Sequence, residues 1–249
     1  MPLRFTADSH DPRRRSLLTM VTFGLVMASA GCSISGTAPG TVRKARFSPE
    51  QLVKSDTDHF AEAAQRRIFI SLRILAEKLY RRNPREWRKG SGESLEAAVA
   101  RIFEVDHGWR FEALGFRRGI DALQIAFHHD FRGDRVHAFI VGLASMVQTA
   151  YGDKVGFYLL NDLDAQRLYN AARNVEIAAW KLGATRDADG RPLLLSNEMG
   201  EVTNLSFERE IGKIIGILET LTDVLEAKTE RTVVRVVQNM ATAVFLPLN

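Results

Sequence analysis

The stretch His128-His129-Asp130-Phe131-Arg132-Gly133-Asp134-Arg135-Val136-His137 concentrates three imidazoles and two carboxylates in ten residues. Neutral imidazoles and carboxylates are the usual protein ligands of zinc, and a catalytic zinc keeps one position open for water. His128, His129, Asp134 and His137 are therefore the candidate metal ligands. Asp134 and His137 lie three apart at an expected helix start and would face the same way. The spacing matches no established zinc signature such as His-Glu-x-x-His. The other reading is a polar loop between helices, with Asp134 as a helix cap and the histidines in ordinary hydrogen bonds.

A second candidate is Tyr80-Arg81-Arg82-Asn83-Pro84-Arg85-Glu86-Trp87-Arg88-Lys89. Guanidinium forks recognise phosphate and carboxylate, and tryptophan suits a surface with one wet edge. Arg81, Arg82, Arg85, Trp87 and Arg88 are the candidate partner-binding residues, for an envelope protein, an anionic lipid or a cell-wall polymer. The plainer reading is a solvated helix end whose arginines offset the dipole and pair with Glu77 and Glu86. Asp162 and Asp164 form a carboxylate pair better suited to capping a helix than to catalysis. The chain lacks a Gly-x-Ser-x-Gly elbow, a phosphate-binding Gly-x4-Gly-Lys-Ser/Thr loop and a Gly-x-Gly-x-x-Gly turn.

Charge narrows the partners. The 249 residues carry a formal net charge of +4. Residues 43–118 hold 17 basic and 11 acidic residues, and residues 119–249 hold 13 and 17. This balance does not describe a nucleic-acid-binding protein. It allows the first half to meet anionic surfaces, or the two halves to attract each other within one fold.

Arg13, Arg14 and Arg15 precede the apolar run Leu17 to Ala28, and small residues lead to Cys32, the sole cysteine. This is the layout of a cleavable export leader over residues 1–31. The apolar run is shorter than the ~20 residues that a membrane-crossing helix requires.

Ala28-Ser29-Ala30-Gly31-Cys32 resembles the lipobox of bacterial lipoproteins, differing at Ser29, where leucine is usual. The resemblance implies cleavage before Cys32, with diacylglycerol on its thiol and a further fatty acyl chain on its amine. Two or more chains anchor stably where one does not. Arg14-Arg15-Ser16-Leu17-Leu18 also resembles a twin-arginine export signal. Ser33 stands where an aspartate favours inner-membrane retention in enteric bacteria. The resemblance thus points to a bacterial cell-envelope location, at the outer membrane facing the periplasm. No further cofactor is expected.

Residues 32–47 read as a Ser/Gly/Thr/Pro-rich tether, and residues 48–249 as one mainly α, bundle-like domain of about six or seven helices. Ser48-Pro49-Glu50-Gln51 suits a helix start. Phe60, Ala64, Ile68, Leu72, Leu75 and Leu79 predict a helix over 56–82, stopped by Asn83-Pro84. Ser94 should cap Leu95–Glu104. Ile120, Leu123 and Phe127 predict a short helix ending near His129. Asp134 should cap a helix carrying Val136, Ile140, Leu143, Val147 and Ala150 inward, packed on two faces because its other side holds Gly142, Ala144 and Ser145. Leu168 to Leu182 predict another, closed by Gly183. Phe207, Ile211, Ile214, Leu218, Leu221 and Leu225 mark the last clear helix. Residues 229–245 mix helical spacing with β-branched density, and the reading leans to helix. A small hairpin is expected near 192–205, with Asn197–Gly200 as its turn.

The leading functional reading is a non-enzymatic, lipid-anchored domain that binds or scaffolds a partner. The alternatives are an envelope hydrolase or metalloenzyme using His128–His137, and a carrier of an apolar ligand between helices.

Overall fold

The computed structural model describes residues 56–90, 94–105, 107–153, 163–201 and 203–248. The leader, Cys32, the tether, the Ser48-Pro49 start and Asp162 lie outside them.

The architecture is mainly α, with seven helices among the described residues: α1 Asp56–Arg82, α2 Pro84–Lys89, α3 Leu95–Phe103, α4 Gly119–Phe127, α5 Arg135–Ala150, α6 Ala165–Ala184 and α7 Ser206–Thr229. One 3-10 turn, Glu112–Leu114, precedes α4. None of these helices is long and apolar enough to cross a membrane.

Local chemistry sets the helix starts. Ser94 accepts the Ala97 N–H at 3.0 Å, and Asp134 accepts the His137 N–H at 2.9 Å. Asp164 accepts the N–H groups of Gln166 and Arg167. Each carboxylate or hydroxyl satisfies donors that the first helical turn leaves without partners. α6 runs through Gly183 and ends at Ala184, where the Thr185 N–H and hydroxyl both bond the Lys181 carbonyl. The expected glycine stop is thus replaced by a threonine.

α5 is the centre of the bundle. It packs against α1, α4 and α6, and every residue but Thr149 is buried. α4 approaches it at Gly142. A Cβ there would meet the Leu123 side chain at 2.7 Å and its backbone nitrogen at 2.9 Å. Ser145 completes the contact by accepting the Gly119 N–H at 2.7 Å. α7 lies against α1 and α6 and buries its whole expected stripe from Phe207 to Leu225. Each such side chain contributes ~1.5–3 kcal/mol of transfer free energy. In α1, Phe60 departs from its expected stripe and is exposed, while Ala61 takes the buried position.

Two segments differ from the sequence reading. The hairpin exists, but Glu198–Met199 is itself a strand, antiparallel to Thr203–Asn204. The reversal therefore lies after Met199, and Pro192 makes only an isolated bridge to Arg186. Residues 230–248 are not helical. α6 supplies their backbone partners instead. Gln166 bonds both backbone groups of Val234, Tyr169 both of Val236, and Asn174 both of Leu246, while Asn170 donates to the Pro247 carbonyl. With those bonds available, the β-branched residues are free of the crowding a helix imposes on them.

Candidate functional site

α2 exists because of Asn83-Pro84. Proline disfavours helical geometry in the residue before it, and Asn83 sits at φ −123°, ψ 65°. Proline also fits the first helical position, so the residue that ends α1 begins α2. Asn83 fixes the corner. Its Nδ2 donates to the carbonyls of Leu79 and Leu195, each at 2.8 Å, and its Oδ1 accepts the Leu195 N–H at 2.7 Å.

The two faces of α2 differ in chemistry. Glu86, 7% exposed, turns inward and accepts the Arg135 N–H at 2.7 Å and the Lys89 ammonium at 2.6 Å. Trp87 is half-buried against the core. Arg85 and Arg88, three apart and on one side, are exposed, and Arg88 lies 5.0 Å from the Trp87 ring centre. Arg81 at the end of α1 is also exposed. Arg82 pairs with Glu198 on the hairpin. Neither expected acidic partner serves these arginines. Glu77 pairs with Arg73, and Glu86 faces the interior. Among the described residues, no carboxylate pairs with Arg81, Arg85 or Arg88.

Behind α2 lies a buried polar network at the first turn of α5. Asp134 accepts the Tyr80 hydroxyl at 2.8 Å, and Arg101 approaches the same carboxylate at 3.8 Å, passing over Gly90. Burial, and then neighbouring Glu86, raises the Asp134 carboxyl, although the bonds from His137 and Tyr80 and the charge of Arg101 oppose the shift. Burial also raises the Tyr80 hydroxyl.

The histidine-rich loop does not gather its imidazoles. The cause is Arg135, 6% exposed, whose guanidinium donates to the carbonyls of Ala126, His128, His129 and Phe131 at 2.7–3.2 Å. The loop wraps its backbone around that cation, and the His128 and His129 side chains stand outside. His137, 2% exposed, points elsewhere, edge-on to Phe111 at 4.5 Å. Phe111 in turn meets His107, whose Nε2 bonds the Ile102 carbonyl and whose Nδ1 accepts the Trp109 N–H. Burial, then Arg101 and His107, pushes the His137 imidazole down to about 3. Among the described residues, no three His, Cys, Asp or Glu side chains converge to hold a metal.

Sequence reasoning missed Arg135 and the inward role of Glu86. Arg135 had no detectable signal, because its acceptors are carbonyls that any residue supplies. Glu86 had one, since the only acid among so many cations is a natural inward anchor.

An open cleft of about 460 Å³ lies between the 3-10 turn, α4 and the following loop. Leu114, Ile125 and Phe131 line it together with Arg117, Asp121 and His128.

Comparison of the chain with protein-family models, curated proteins and solved structures finds no match.

Proposed function

We propose that this chain is a lipid-anchored cell-envelope protein whose helical domain binds an anionic partner through the outward face of α2. The observation that carries the reading is the state of Arg85 and Arg88. Both are exposed without an acidic partner among the described residues, Arg88 lies against Trp87, and the only acid of the helix is spent inside. An exposed guanidinium pair next to an aromatic ring offers forked hydrogen bonds to phosphate or carboxylate and a flat apolar contact. The anchor rests on the resemblance of Ala28–Cys32 to a lipobox.

The test is photo-crosslinking in living cells from a reactive residue placed at Arg85, followed by identification of the product. One specific adduct, lost in the Arg85→Glu/Arg88→Glu double variant, supports the reading. Absence of any specific adduct, together with a stoichiometric bound metal, overturns it. A fatty-acid analogue should label the wild-type chain and not Cys32→Ala. Labelling that persists in the variant refutes attachment at that thiol.

A further inference from the structure

The chain leaves α7 at Glu230, where φ is +55°, and returns along α6. Gln166 accepts the Val234 N–H at 2.7 Å and donates to its carbonyl at 3.1 Å. Tyr169 accepts the Val236 N–H at 3.1 Å and donates to its carbonyl at 3.3 Å. Alternate residues thus face α6, which is the period of an extended strand. The residues between them face away. Among the described residues, no hydrogen bond reaches the backbone of Arg235 or Val237.

This outward edge is unusual in composition. Thr232-Val233-Val234-Arg235-Val236-Val237 is β-branched at every position but one, the composition of a paired strand. Val237 is 98% exposed and Val234 71%. Charge ordinarily guards such an edge against pairing. Here the one charge, Arg235, is held by Glu226 at 2.9 Å and lies 3.5 Å from Asp223. The guard is offset, and the open N–H and C=O groups remain. Alternating open donors and acceptors fit one kind of partner, another extended backbone.

The segment is its own complement. An antiparallel two-fold at Val236 sets Arg235 opposite Val237 of the second copy, so that all the open groups of Arg235 and Val237 are used in four backbone bonds. It brings the two Val236 side chains together and sets the two arginines on the diagonal, not directly opposite. A symmetric register centred on Arg235 sets like charges side by side, which disfavours it. We propose that two copies of this chain pair antiparallel through Arg235–Val237 about a two-fold axis at Val236. The pairing is independent of the reading of α2.

The register can be tested with the full-length chain, in which Cys32 is the only native cysteine. At the two-fold, Val236 and its mate form a non-hydrogen-bonded pair with Cα atoms ~4.5 Å apart, within disulfide reach. Two Val234 residues would be separated by roughly 13 Å, beyond it. Under mild oxidation Val236→Cys should give at least tenfold more disulfide-linked dimer than Val234→Cys or the parent chain. Adding Val237→Pro removes an outward donor while sparing the bonds to Gln166 and Tyr169, and should return the yield to the Val234→Cys level. The proposal is overturned if Val236→Cys dimerises no more than Val234→Cys. It is equally overturned if Val236→Cys links chiefly to other proteins, or if Val237→Pro retains helix content and the full dimer yield.

Discussion

The Glu86 carboxylate on α2 accepts the backbone N–H of Arg135, the first residue of α5, across 2.7 Å. A six-residue helix has little stability of its own. This bond, with the Asn83 corner, ties the element that displays Arg85 and Arg88 to the most buried helix of the fold.

Glu86→Ala should therefore destabilise the domain by about 1.5–3 kcal/mol, the range for losing a buried charged acceptor. Glu86→Gln retains an acceptor and should lose less. Urea denaturation orders the three proteins. Equal midpoints would show that Glu86 does not brace α5.

Arg135→Met removes the donor to four loop carbonyls. The expected cost is about 3 kcal/mol, because buried carbonyls lose a charged partner. Arg135→Lys should not restore it, since an ammonium cannot reproduce the guanidinium fork. Hydrogen exchange should accelerate in residues 128–133 in both variants. Unchanged exchange there would exclude the clamp.

Two glycines should respond in opposite directions. Gly142→Ala forces a Cβ against Leu123 and its backbone, and should cost about 1–3 kcal/mol. Gly212 lies exposed in α7 with open space around it. Gly212→Ala should stabilise by about 0.5–1 kcal/mol through helix propensity. Thermal melts of the pair give the two signs directly.

His137 predicts an acid-side slope. The unfolded chain takes up its proton near 6.5, and the folded chain only near 3. Stability is therefore lost as pH falls through that window, by about 2–3 kcal/mol between pH 7 and pH 4.5. Asp134 works in the opposite sense. Its raised folded value makes its contribution greatest below 3.8 and lost as pH rises through that raised value. His137→Leu should flatten the loss between pH 7 and pH 4.5, as read by urea midpoints at both. A wild-type slope in the variant would exclude His137 as its source.

Asn174 is fully buried and holds both backbone groups of Leu246. Asn174→Leu should release the last residues and speed proteolysis between 238 and 248, at a cost of about 2 kcal/mol. Identical cleavage in both proteins would show that the clasp is not what holds the segment.

What the sequence disclosed follows the range of the forces involved. Leu72, Leu218 and their neighbours repeat every three or four residues, so α1 and α7 were legible from one stripe each. The Ser94, Asp134 and Asp164 caps act within three residues and were equally plain. α2 was not, because six residues hold too few turns to show a period. The lean to helix over 229–245 fails beyond Thr229 because the partners of this segment, Gln166 to Asn174, lie about seventy positions away. At the candidate site the cationic run was legible, but the lack of acidic partners for Arg81, Arg85 and Arg88 among the described residues was not. It depends on Glu77 and Glu86 having other engagements.

α1 also sets a length. Its 27 described residues rise ~1.5 Å each, so roughly 40 Å separates Asp56 from the corner at Asn83. Asp56 stands at one end of this rod, and Arg85 and Arg88 follow the other. A partner held at α2, as proposed, would lie a helix-length from Asp56, and shortening α1 by whole turns would draw the two together by ~5.4 Å at each step.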